Sequence, residues 1–275
     1  MVIDAHQHFW QYDPVRDAWI DDSMQVIRGD FFPEHLKPVL AANGVHGCVA
    51  VQADQSENET AFLLDLAGKH AFIKGVVGWT DLRASNIREK LATYAVNPKL
   101  KGFRHIVQGE PDVNFLLGEA FCHGITALAE FGFSYDILVY PKQLAATAAF
   151  VKKFPEHRLV IDHVAKPDFK TGALEEWASH MRSIAQSPNV YCKLSGLVTE
   201  ADWQHWKPAH FEPFLDVVLE SFGPHRLMFG SDWPVCLLAA EYKEVKDIIT
   251  QYISKLSDTE QNNIMGGNAI SFYHL

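Results

Sequence analysis

Val2-Ile3-Asp4-Ala5-His6-Gln7-His8 is the stretch whose reading decides the fold. It opens as a short apolar run of strand type and ends in two imidazoles two positions apart. Side chains alternate in face along a strand, so His6 and His8 point the same way. A histidine pair at the end of one strand is how a barrel enzyme presents a metal or polarises a carbonyl. The same form, a short apolar run ending in polar residues, recurs along the chain. Strands are expected over 2–8, 47–53, 73–79, 102–107, 133–139, 159–164, 190–194 and 227–232. Their starts fall roughly 30 residues apart, the size of one strand–helix–strand unit.

Between these runs lie stretches with apolar residues at helical spacing, over 57–70, 115–131, 141–154, 173–186, 211–222 and 239–256. Pro141 suits a helix start, and Gly132 and Gly223 suit positions just past helix ends. Strands alternating with helices imply a parallel sheet. Eight such units close most naturally into a (β/α)8 TIM barrel, an α/β fold, here as one domain over residues 1–275. An open doubly wound sheet would be expected to carry a glycine-rich phosphate turn after an early strand, and none is present. Two stretches fall outside the alternation. Residues 9–32, rich in Trp, Tyr and Asp, follow the first strand. Residues 199–210, with Trp203, His205, Trp206 and His210, follow the seventh. Both are expected to border the barrel mouth and to enclose a ligand there.

The 275 residues carry a net charge of −10, which argues against nucleic acid or an anionic membrane surface as the main partner. No apolar run approaches the roughly 20 residues of a membrane span. Cys48, Cys122, Cys192 and Cys236 are widely spaced and form no Cys-x-x-Cys pair. With no leading signal segment, they read as reduced, mostly buried thiols of a cytoplasmic protein. The expected partner is a small molecule, and a homo-oligomer is left open.

In a barrel, polar residues at strand C-terminal ends face a common mouth. Buried parallel strands are otherwise nearly pure Val, Ile and Leu. The departures here are His6 and His8, Arg104 and His105, Asp136, Asp162 and His163 followed by Lys166, Lys193 and Ser195, and Ser231-Asp232-Trp233. Gln52, Asp54 and Trp79 end the second and third strands. His6, His8, His163 and Asp232 suit a borderline divalent ion such as Zn²⁺. Such an ion would polarise a carbonyl and acidify a bound water. Asp232 is then the expected base, with His163 or Arg104 stabilising the oxyanion. The same groups without a metal could still open an activated ester, because an alkoxide leaves more readily than an amine. Asp136, Arg104 and Lys193 could equally pair with one another and do no chemistry.

These residues sit in longer motifs: Gly75-Val76-Val77-Gly78-Trp79, Gly102-Phe103-Arg104-His105, Ile161-Asp162-His163-Val164-Ala165-Lys166-Pro167, Cys192-Lys193-Leu194-Ser195-Gly196 and Gly230-Ser231-Asp232-Trp233-Pro234, closing with Gly267-Asn268-Ala269 and Phe272-Tyr273. Together they resemble the amidohydrolase superfamily, its amidohydrolase-2 branch, and within that the sugar-lactone hydrolases of the L-fuconolactonase and L-rhamnonolactonase type. The resemblance spans nearly the whole chain. It implies a hydrolase acting on a sugar-acid lactone by water attack on the carbonyl, with Asp232 as general base beside His6, His8 and His163. It also implies substrate contacts from Arg104, Lys193 and Trp233, to which Trp79 is added. Asp136 stands where many superfamily members carry a metal-ligating His, and Arg104-His105 stands where many carry a bridging Lys or Glu. That departure implies zero or one ion, zinc before others, rather than two. A metal-dependent decarboxylase of an amidohydrolase-2 type acid is the alternative, and a barrel that binds a sugar acid without chemistry is a third reading.

Overall fold

A computed structural model describes all residues 1–275. The eight expected strands form one parallel sheet in chain order: β1 (Ile3–Gln7), β2 (Gly47–Val51), β3 (Ile73–Gly78), β4 (Leu100–His105), β5 (Ser134–Ile137), β6 (Leu159–Ile161), β7 (Val190–Leu194) and β8 (Leu227–Phe229). The (β/α)8 barrel is the architecture. Its seam, between β8 and β1, is held at the mouth. Asp232 N–H donates to the His6 carbonyl (2.8 Å), and His8 N–H donates to the Trp233 carbonyl (2.7 Å). Asp4 reinforces the seam from below. Its carboxylate accepts from Ser231 N–H (2.9 Å), Ser231 Oγ (2.6 Å) and Tyr242 Oη (3.0 Å).

The helices pack their apolar faces on the strands. They are α1 (Pro33–Ala42), α2 (Glu57–Lys69), α3 (Ile87–Tyr94), α4 (Glu119–Glu130), α5 (Leu144–Lys153), α6 (Glu175–Ala185), α7 (Leu197–Glu200), α8 (Pro208–Phe222), α9 (Tyr242–Tyr252), α10 (Asp258–Asn262) and α11 (Asn268–Tyr273). The outer core lies between sheet and helices, and the barrel interior holds a smaller cluster that includes Val49, Val77, Val160 and Met228. From the last helix, Phe272 and Tyr273 join this inner cluster.

Several expected elements take a different form. α1 and α3 fall where no helix was expected. Phe115–Leu117 and Pro141–Gln143 are 3₁₀ turns preceding α4 and α5, and the span 239–256 holds only α9, flanked by 3₁₀ turns. β6 and β8 stop at Ile161 and Phe229, so His163 and Asp232 stand beyond the ladder. Both have left-handed backbones, with φ +53° and +61°. All four cysteines are buried and unpaired. No helix is long and apolar enough to cross a membrane.

Candidate active site

Histidines from the first and sixth strand ends meet Asp232 at the barrel mouth. Its Oδ1 lies 3.3 Å from His8 Nε2, 3.9 Å from His6 Nε2 and 3.9 Å from His163 Nε2. The rings of His6 and His8 sit 5.0 Å apart, as two side chains on one strand face should. His163 lies on the other side of His6, at 4.3 Å. Glycines leave room for these rings. A Cβ on Gly196, itself at φ +68°, would fall 2.6 Å from His163 Nδ1, and one on Gly230 would fall 2.7 Å from His6 Cβ.

The bonds behind each ring set its orientation. His8 Nδ1 bonds the Val51 carbonyl (2.8 Å), which turns its Nε2 toward Asp232 Oδ1. His6 Nδ1 lies 3.3 Å from Asp162 Oδ1 and 3.1 Å from Lys193 Nζ, while Arg104 Nη1 is 3.2 Å from its Nε2. Burial keeps His6 neutral, well below the ordinary imidazole value, with the positive charge of Lys193 adding to it. His163, whose Nδ1 is 2.9 Å from Ser195 Oγ, is pushed down to about 3 by burial. Burial acts on Asp232 in the opposite sense. The histidines around it outweigh that penalty and hold its carboxyl well below the usual carboxylate range.

Under this cluster lies a layer of buried charge. Lys193 Nζ contacts Asp136 Oδ2 (2.6 Å) and Asp162 Oδ1 (2.9 Å), and Arg104 Nη1 contacts Asp162 Oδ2 (3.0 Å). Two cations face two carboxylates, so each buried charge is compensated. Asp136 also accepts from Tyr273 Oη (2.7 Å). The side chain at the fifth-strand position is thus spent on this pair and does not reach the mouth.

A cavity of about 400 Å³ opens above Asp232, lined by His8, Arg104 and His163 among others. Trp10 and Trp19 from the loop after β1, Tyr140 after β5, Lys166 after β6 and Thr199 in α7 complete much of its wall. The sequence pointed to Lys166 at the sixth strand end and to the stretches 9–32 and 199–210 as borders of the mouth, but gave none of the five a role, and Tyr140 was not noted at all. Arg104 stands at the cavity as expected. Lys193 does not: it has no exposed surface and lies beneath the floor. Its expected substrate contact is corrected here, because its ammonium is committed to Asp136 and Asp162. Trp233 is buried against Phe9 and Phe31, and Trp79 Nε1–H bonds His105 Nδ1 (3.2 Å); neither lines the cavity. Trp203, His205 and His210 border a separate hollow with Phe169 and Lys170, so of the two Trp-rich loops only the first brings its indoles to this mouth.

His6, His8 and Asp232 offer one ligand atom each, all within 4.8 Å of one another and all buried. His163 falls outside this trio and groups with His6 and Asp162. Two imidazoles and a carboxylate with fixed ring orientations fit one borderline divalent ion.

Known proteins agree with this geometry. A family profile described as amidohydrolase matches residues 3–275. The chain is 44% identical to an L-fucono-1,5-lactonase of Burkholderia multivorans, over 99% of its own length and 96% of the relative's. It is 37% identical to an L-fucono-1,5-lactonase of Burkholderia ambifaria, over 99% and 95%. A solved Burkholderia multivorans amidohydrolase with bound zinc is 44% identical and superimposes with a TM-score of 0.97, covering 100% of this chain and 99% of that one. With its barrel, its strand-end histidines and Asp232 in place, this chain belongs to the amidohydrolase family.

Proposed function

We propose that this chain is a lactonase that opens a sugar-acid lactone of the L-fuconolactone or L-rhamnonolactone type. The observation that carries the reading is Asp232, an ionised carboxylate at the floor of a ligand-sized cavity, ringed by the Nε2 atoms of three buried imidazoles. The full-length identity to two L-fucono-1,5-lactonases supports the substrate class.

In this reading Asp232 takes a proton from water as the water attacks the lactone carbonyl, and gives it to the ring oxygen as the tetrahedral adduct collapses and the ring C–O bond breaks, leaving the open hydroxy acid. The low proton affinity of the carboxylate keeps it available as a base at neutral pH. His163, oriented by Ser195, donates Nε2–H toward the carbonyl oxygen as negative charge develops there. Arg104 adds a fixed positive charge to the same wall. His6 and His8 with Asp232 would hold one ion, zinc by donor type and by likeness to the zinc-bound relative, and when bound it would supply Lewis acidity. Lys193 and Asp136 hold the position of His6 and Asp162 from below and do not touch substrate. The four buried, unpaired thiols support a cytoplasmic setting. The decarboxylase alternative is the less supported of the two, because both full-length relatives described above carry lactonase names.

The test is a panel of five- and six-membered aldonolactones followed by acid release. Turnover of 6-deoxy-sugar lactones well above the spontaneous rate is expected. A panel hydrolysed only at the spontaneous rate would overturn the reading.

A further inference from the structure

Lys166 lies on the cavity wall in an uncommon backbone setting. His163, Val164, Ala165 and Lys166 all have positive φ, between +46° and +58°. Each such residue costs on the order of 1 kcal/mol, and runs of non-glycine residues in this region persist only when their surroundings enforce them. The run makes a short left-handed 3₁₀ turn, closed by Lys166 N–H donating to the His163 carbonyl (2.8 Å). With three residues per turn, residues i and i+3 eclipse. His163 and Lys166 therefore face the same cavity, and both line it.

Lys166 Nζ pairs with Glu200 Oε1 at 2.7 Å and sits 5.3 Å from the centre of the Tyr140 ring, which also lines the cavity. The pair is mostly enclosed, with side-chain exposures of 13% and 21%. Glu200 is not part of the cavity lining; its carboxylate holds the ammonium, and one ion-pair contact leaves other donor directions of Lys166 free for a ligand in the cavity. The wall from β5 to β7 carries Leu138, Tyr140, His163, Lys166 and Thr199, with Lys166 its one ammonium. The indoles of Trp10 and Trp19 come from the other side of the ring of strands, after β1.

We propose that Lys166, positioned by Glu200, is a specificity-determining residue that reads a ring hydroxyl of the lactone, the ammonium donating to the hydroxyl oxygen. This rests on the lactonase reading. A hydroxyl bonded to the ammonium strengthens binding through a charge-assisted hydrogen bond. A deoxy analogue leaves the ammonium unanswered and is rejected. The strain of the turn then has a function: it puts the hydroxyl-reading group and the oxyanion donor on one rigid element.

The experiment measures kcat and KM of the wild type, Lys166→Met, Lys166→Arg and Glu200→Gln on a hydroxylated aldonolactone and on its singly deoxygenated analogues, with melting temperatures to verify folding. Lys166→Met is expected to lower kcat/KM for the hydroxylated lactone on the order of 10- to 100-fold, the range of a charge-assisted hydrogen bond. It should leave one deoxy analogue nearly unaffected, so that discrimination at that single position collapses, mainly through KM. Lys166→Arg should restore part of it. Equal losses on all lactones, or discrimination left intact, would overturn the proposal. Glu200→Gln keeps the side-chain volume while removing the charge that positions the ammonium, and decides the matter if Lys166→Met does not fold. Calorimetric titration of the hydroxylated and deoxy aldonates into wild type and variants separates the two readings. If the wild type turns over no lactone, the lactonase reading fails, and a hydroxyl preference in binding that Lys166→Met abolishes would still sustain the role of Lys166. Equal binding of both aldonates to the wild type would sink that role.

Discussion

Asp232 sits at φ +61°, in a region that Asp tolerates better than most residues. Its backbone N–H is bonded to the carbonyl of His6, so the proposed base and one of its histidines are fixed to each other through the main chain. Asp232→Asn keeps this backbone and the side-chain volume while removing the basic oxygen. A fall in kcat of about 10²- to 10⁴-fold is expected, with little change in melting temperature; near-normal turnover would remove Asp232 as the base. At this scale the sequence was most informative where a side chain broke the apolar rule of a buried strand. His6, His8, Arg104, His163 and Asp232 were found that way. Lys193 breaks the same rule and yet serves beneath the floor, because a run of residues does not say which end of a cation finds a carboxylate. Tyr140 was overlooked because it lies beyond its strand, where polar side chains are ordinary, and Lys166 was noted after the sixth strand without a role for the same reason.

The strands were legible because a parallel barrel strand is buried on both faces and reads as an apolar run. Their ends were less so. β6 and β8 are three residues each, since the chain leaves the ladder to take left-handed turns that periodicity does not reveal. α1 was hidden by Pro33 and Pro38, the first of which starts the helix while the second lies within it. α3 is eight residues long with only Ile87 and Leu91 buried, too thin a stripe to register. The left-handed turns depend on their neighbours. Gly196 begins α7 at φ +68° against the His163 ring, so Gly196→Ala adds both backbone strain and a collision. A loss of about 1–3 kcal/mol of stability is expected, together with a drop in kcat larger than that at any other glycine-to-alanine site with open surroundings, such as Gly68. Thermal melts and turnover of the two variants make the comparison.

On the scale of the whole molecule, acid is the expected weak point. His157 is buried, and burial, aided by the charge of Arg158, pushes its pKa down to about 4 from 6.5. Between those values the unfolded chain binds a proton that the folded chain does not. The folded state therefore loses stability as pH falls through that window, and the loss levels off below about 4. The slope from this one group approaches about 1.4 kcal/mol per pH unit. His157→Leu, measured by urea midpoints at pH 7 and pH 5, should lose less on acidification than the parent; equal losses would exclude the residue. The seam bears on the molecule as a whole in another way. Asp4 and Ser231, 227 positions apart, bind each other directly beneath the meeting point of His6, His8 and Asp232. Contacts of such separation form late, after the loop entropy of nearly the entire chain has been overcome. A nascent or nicked chain lacking its eighth strand also lacks the proposed base, and on that reading catalysis becomes a reporter of closure. In a pool of partly folded molecules, turnover counts only the rings that have shut.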